Sequence, residues 1–204
     1  MKRLLVLAIR HSTPNTGREL DRTLTEEGKR LVSVAREHAR SMGFENPAAT
    51  CATMAQCTQE TARVFAPYVE PIIVPGAFLR VEDGPTWREV ARIERDIQIA
   101  SARDDSSSVS FAQQMTSPNA AAVYEYHRLL RARLHALLLK VQDRSHVLCV
   151  GHGSTMMTAL QRFTRSSAPE NLECGHCEGL LIRLRITRNS MMAIDLPRMF
   201  WPET

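Results

Sequence analysis

The sequence predicts an α/β protein, a three-layer α/β/α sandwich with a mainly parallel central sheet and a C-terminal antiparallel hairpin. Strand-length apolar runs alternate with helical patterns from the N-terminus onward, the order that joins parallel strands through crossover helices. Two of the runs, LLVLAI at 4–9 and VLCV at 147–150, are continuously apolar, as buried strands are. Near the C-terminus, segments 180–186 and 191–196 flank Thr187-Arg188-Asn189-Ser190 and read as a hairpin.

The first strand stops on Arg10-His11 and turns into Ser, Thr, Pro and Asn. Next comes a helix opening at 24–29, with Thr23 or Thr25 as cap and Glu26 and Glu27 in the first turn, where the helix dipole favours acids. Leu31, Val34, Ala35, His38 and Met42 follow helical spacing as its packed face, and Gly43 is the expected stop. A short strand over 48–52 leads to a helix over 54–66 that Thr53 can cap. Ile72-Ile73-Val74, between Pro71 and Pro75, reads as a strand near a sheet edge, since proline cannot serve a central ladder. Over 76–118 the pattern breaks. Thr86-Trp87-Arg88-Glu89 is a capping box, 104–110 is a serine-rich loop, and the stretch is the expected insertion or cap. A long helix over 119–141 leads to the strand at 146–151, which ends in Gly151-His152-Gly153, and a helix over 154–163 follows.

Composition bounds the rest. With 204 residues, 44% hydrophobic and 24% charged, the chain fits a single domain over 1–204 with the insertion at about 76–118. The net charge of +4 comes from 26 basic and 22 acidic residues that are interspersed, so anions are preferred without a basic stripe. Aromatics are only 5%, which leaves no stacking platform, and nucleic acid is not an expected partner. No segment approaches the roughly 20 apolar residues of a membrane span. Lys2-Arg3 before an apolar run resembles a signal peptide, but the run is too short and meets Arg10 without a cleavage site, so a cytoplasmic protein is expected. Five cysteines, an odd number, then argue for reduced thiols.

Two strands ending in histidine suggest one site, because ligands of open α/β sheets bind at the carboxyl ends of the strands. A neutral imidazole can attack phosphorus and give a phosphohistidine that water later hydrolyses, provided fixed cationic donors hold the charge of the transferring group. Arg10, His11 and His152 supply a bidentate donor, a nucleophile and a second ring.

Residues 4–11 resemble the strand ending in Arg-His of the histidine phosphatase superfamily, the phosphoglycerate-mutase-like fold, and 147–153 resemble its second histidine strand. Leu24-Thr25-Glu26-Glu27-Gly28 is similar to the helix opening after the first motif, and Glu60-Thr61-Ala62 to the end of the second-arginine motif. The resemblance runs in order over most of the chain. It implies a phosphomonoester or phosphohistidine hydrolase working through phospho-His11, with Arg10 and His152 lining the phosphate pocket and no metal or organic cofactor. The substrate would be a phosphorylated small molecule or a phosphoprotein. Candidate substrate contacts are Arg10, Ser12, Asn15, Cys57 and Gly153.

Departures from that pattern are informative. The family's second arginine, four residues before the Thr-Ala pair, is Cys57 here. Losing such a donor costs about 2.7–4 kcal/mol of transition-state binding by analogy with an oxyanion hole. Arg80 or Arg18 is the candidate replacement. The glutamate that protonates the leaving oxygen aligns with Val81, so Glu82, one residue on, or Asp83 is the candidate acid. Ser12 stands where the family has glycine or alanine, and its hydroxyl either donates to the phosphate or fits the turn. These losses support a second reading, a catalytically weakened domain that binds an anion or a protein partner.

Cys174-Gly175-His176-Cys177 has the spacing of half a zinc site, but without a second half no metal is expected. Cys149 reads as a core residue, and Cys57 as a thiol at the rim of a cationic pocket with a lowered pKa. The remaining histidines, His38, His127, His135 and His146, read as structural or solvent-facing. The terminal hairpin leaves an edge for pairing with a second copy.

Overall fold

A computed structural model describes residues 1–16, 21–73, 128, 131–132, 134–152 and 175–202. The insertion at 76–118, the helix at 154–163 and most of 119–133 lie outside the described residues, as do Arg18, Arg80, Glu82, Asp83, His127, Gly153 and Cys174.

The first strand, β1 (Lys2–Arg10), is central and covered on both faces. Successive side chains of a strand point to opposite faces, so its apolar run feeds two cores. Leu4, Val6 and Ala8 join Leu134, Leu138 and Val141 on one side, where residues 134–138 are helical. Leu7 and Ile9 join Val32, Ala35 and Ala39 of α1 (Glu26–Ser41) and Ala62 and Phe65 of α2 (Gln56–Phe65) on the other. Helix, sheet and helix make the three expected layers. Among the described residues no helix is long and apolar enough to cross a membrane.

Around β1 lie β2 (Ala49–Ala52), β3 (Ile72–Ile73), β4 (His146–Gly151), β5 (Gly179–Ile186) and β6 (Met191–Ala193), in the order β3-β2-β4-β1-β5-β6, with β7 (Arg198–Phe200) pairing β5. The first four in that order run parallel, and β5 lies antiparallel to β1. β3 is the edge strand its flanking prolines suggested. β5 and β6 form the expected hairpin, although β6 ends at Ala193. β7 was not foreseen. Its three residues, between Pro197 and Pro202, carry no alternation long enough to read as a strand.

The α1 cap is Thr25, whose Oγ1 accepts from Gly28 N at 2.8 Å, and the stop is Gly43 with φ +82°. The buried stripe differs from the expected one. It runs through Gly28, Val32, Ala35 and Ala39, while Leu31, Val34 and His38 are half-buried on its flank. Small residues let the helix backbone approach the sheet, and the larger apolar groups cover the sides of the contact. Thr53 does not cap α2, which begins two residues later than expected with Ala55 at its N-cap and no side-chain cap bond.

Gly28 meets the loop that follows the first histidine. A Cβ there would lie 2.4 Å from the Thr13 carbonyl oxygen, a backbone atom that cannot yield alone. Gly28→Ala would gain up to about 1 kcal/mol of helix propensity. Overpacking against backbone costs about 1–3 kcal/mol, so a net loss of stability is expected, read as a lowered Tm.

Candidate active site

Strand register builds the site. β1 and β4 pair from Leu5↔His146 to Arg10↔Gly151, so the next residues, His11 and His152, leave the sheet side by side at its carboxyl end. His11 N still donates to Gly151 O at 2.9 Å. The two rings meet edge-on with centroids 4.8 Å apart and planes at 62°.

His11 is 8% exposed, and its Nδ1 lies 2.7 Å from the Ser12 carbonyl oxygen. A carbonyl only accepts, so Nδ1 carries the hydrogen and the Nε2 lone pair is left for chemistry. Burial, above all, lowers the His11 pKa to about 4; the charges of Arg10, His176 and Arg22 act the same way, against the Ser12 carbonyl. His152 falls to about 3, through burial first and then His11 and Arg10. Both rings are therefore neutral at pH 7, the form a nucleophilic imidazole requires. Thr53, fully buried, places its Oγ1 3.2 Å from His152 Nε2 and 2.8 Å from Thr58 Oγ1, which fixes the second ring. Thr53 orients a histidine where the sequence suggested a helix cap.

A third imidazole arrives from the turn before β5. Arg10 N donates to Glu178 O at 2.9 Å and Cys177 N to Arg10 O at 3.1 Å, which latches this turn to the end of β1. His176 then stands with its centroid 5.7 Å from that of His11. The sequence offered it only as half a zinc motif. Cys177, the other described member of that motif, is a fully buried thiol raised to about 11, mainly by burial. Among the described residues no group of three or more His, Cys, Asp or Glu side chains is arranged to hold a metal ion. Arg22, whose positive charge reaches His11, was also missed. It stands just before the predicted helix opening, where nothing in the spacing distinguishes it.

Several candidate contacts have other work. Ser12 is fully buried, donates through Oγ to Gly28 O at 2.7 Å and through its backbone N–H to Thr61 Oγ1 at 3.1 Å. Its hydroxyl thus fits the turn and is not aimed at a phosphate. Asn15 Nδ2 donates to Thr23 Oγ1 at 2.9 Å and Leu24 O at 3.1 Å, closing the loop. Glu60 accepts from Leu24 N at 2.6 Å, so Glu60 and Thr61 together pin the loop after His11 to α2. Cys57, expected at a pocket rim, is 2% exposed within the core that holds Ile9 and Val150. The face of α2 that packs on the sheet includes position 57, so its thiol is interior. Glu82 and Gly153 lie outside the described residues. His135 and His146 are structural, with Nε2 of the first 2.8 Å from Thr187 O and Nδ1 of the second 2.7 Å from Glu45 O.

No protein-family profile matches the chain, and no curated protein sequence does either. Solved structures do match, over nearly their whole length. A mycobacterial glucosyl-3-phosphoglycerate phosphatase is 15% identical, with 99% of each chain covered and a TM-score of 0.55. A protein from Escherichia coli K-12 named as a candidate alpha-ribazole-5'-P phosphatase is 12% identical, covering 97% of this chain and 98% of that one at a TM-score of 0.52. A candidate phosphohistidine phosphatase, SixA, from Nakamurella multipartitia is 14% identical, with 97% and 95% covered and a TM-score of 0.51. The chain has the histidine phosphatase fold. His11 and His152 follow β1 and β4 directly, and the shared carboxyl end of these strands is the candidate site.

Proposed function

We propose that this protein is a cytoplasmic hydrolase of phosphomonoesters or phosphohistidine that works through a phosphohistidine on His11. The observation that carries the reading is the His11 ring itself: neutral, with Nδ1–H held by the Ser12 carbonyl, beside a second neutral ring and within the field of Arg10. Phosphatase names among proteins of the same fold support it.

In the first step the Nε2 lone pair forms a bond to phosphorus. The bond from phosphorus to the leaving oxygen breaks, its electron pair goes to that oxygen, and the oxygen takes a proton, with Glu82 as the candidate donor. The imidazolium so formed keeps its Nδ1–H on the Ser12 carbonyl, a bond that strengthens as the ring becomes positive. In the second step the oxygen of water bonds to phosphorus, the P–N bond breaks, its pair returns to Nε2, and the proton of the water goes to the carboxylate that gave one up in the first step. Arg10 and His152 hold the phosphoryl oxygens throughout. The substrate is a phosphorylated small molecule or a phosphoprotein.

A second reading, a weakened domain that binds an anion without turning it over, is favoured by one observation: position 57 brings a buried thiol and no cation. Incubation with an aryl phosphate and rapid denaturation separates the two. The hydrolase reading expects a phosphoryl group on His11 that is labile to acid and stable to alkali, located by mass spectrometry. Phosphate binding with neither turnover nor a phosphoenzyme would establish the weakened domain instead.

A further inference from the structure

We propose that His176 is a third donor to the phosphoryl group, presenting Nε2–H to one of its oxygens while Thr13 holds Nδ1. The inference rests on the hydrolase reading and names a residue of the same site.

Three observations carry it. The turn that bears His176 is fixed on both sides, by the two backbone bonds to Arg10 and by Gly175 N donating to the Glu178 carboxylate at 2.6 Å. His176 Nδ1 is 3.1 Å from Thr13 Oγ1, and Thr13 lies two residues beyond His11, on the loop pinned to Gly28 and Thr61. The ring is half-buried, tilted 42° to that of His11 at 5.7 Å between centroids, a separation at which both can touch one tetrahedral group.

The chemistry fits what position 57 leaves out. A phosphoryl group in transfer spreads charge over three oxygens, and α2 supplies no side-chain cation at position 57. Burial first and Arg10 second lower the His176 pKa, so the ring is mostly neutral at pH 7 and has one hydrogen to offer. The proposed tautomer has the Thr13 hydroxyl donating into Nδ1, which puts that hydrogen on Nε2. A neutral donor adds a contact without a further positive charge beside the attacking lone pair of His11. Because no bond to His176 forms or breaks, the electron balance of the transfer is unchanged.

Turnover of p-nitrophenyl phosphate and competitive inhibition by inorganic phosphate should be measured for wild type, His176→Ala, His176→Gln and Thr13→Val. His176→Ala should lower kcat/KM and raise the phosphate inhibition constant, each by roughly 10- to 100-fold, since one donor to developing charge carries up to about 1000-fold. His176→Gln, which keeps an N–H donor, should recover part of both, and Thr13→Val should fall between. Wild type with nitrogen-15 histidine should also show a shift of the His176 Nε2 resonance on adding phosphate, which decides the matter even if a variant fails to fold. Turnover and phosphate affinity within about twofold of wild type in folded His176→Ala, or an unmoved Nε2 resonance at saturating phosphate, would overturn this inference and leave the hydrolase reading standing. Wild type that neither binds phosphate nor turns over would sink both.

Discussion

His11→Ala should abolish turnover of p-nitrophenyl phosphate, with kcat falling by roughly a million-fold, the loss seen when a covalent nucleophile is removed. The size follows from what the ring does. In the proposed mechanism it contributes the atom that bonds to phosphorus, so neither Arg10 nor His152 can compensate. On that reading the two assist transfer, but without the ring the phosphoryl group has nothing to be transferred to. Folding should not be the cause, because alanine removes a buried neutral ring whose Nδ1–H is held by its neighbour's carbonyl, and circular dichroism should match wild type. A folded variant retaining more than about 1% of wild-type turnover would eliminate His11 as the nucleophile.

Acid should destabilise the protein well above the pH at which its carboxylates protonate. His11 has a folded pKa of about 4 and His152 of about 3, both below the ordinary 6.5. The unfolded chain therefore takes up protons first. The stability that comes from keeping these rings neutral is complete above about pH 6.5 and is lost as pH falls toward 4 for His11 and 3 for His152. At about 1.4 kcal/mol per pH unit for each proton, His11 alone accounts for a loss of about 3 kcal/mol across its window. The rings face each other, so protonating one disfavours the other and the pair contributes less than twice this. Urea unfolding at pH 7.5, 6.0, 5.0 and 4.0 should show the decline, and His11→Gln should flatten it. Parallel curves for wild type and variant would show that His11 is not held neutral by the fold.

The same two histidines illustrate what a linear chain discloses. Each ends a continuous apolar run, such runs become buried strands, and ligands bind at the carboxyl ends of those strands, so the meeting of residues 11 and 152 was foreseeable, while the direct pairing of β1 with β4 was not read. His176 was not. Its place depends on β5 turning back antiparallel along β1, which latches Gly175 to Glu178 onto Arg10, and no local pattern around Cys174-Gly175-His176-Cys177 encodes that approach. Ser12 was left between a phosphate contact and a turn, and Cys57 was expected at a pocket rim, for a related reason. Whether a hydroxyl points to a ligand or a carbonyl, and whether a helix position faces pocket or core, is set by how α1 and α2 are rotated against the sheet.

The sequence by itself determined the layers, the parallel run of the central strands, the cap and stop of α1, and the histidine-bearing strand ends, because apolar periodicity and capping chemistry act over a few residues. Only the tertiary structure decided the protonation of the rings, the partners of Ser12, Asn15 and Thr53, the burial of Cys57 and the arrival of His176. Those properties arise from desolvation and from contacts between segments as much as 163 residues apart, for which burial and register must first exist.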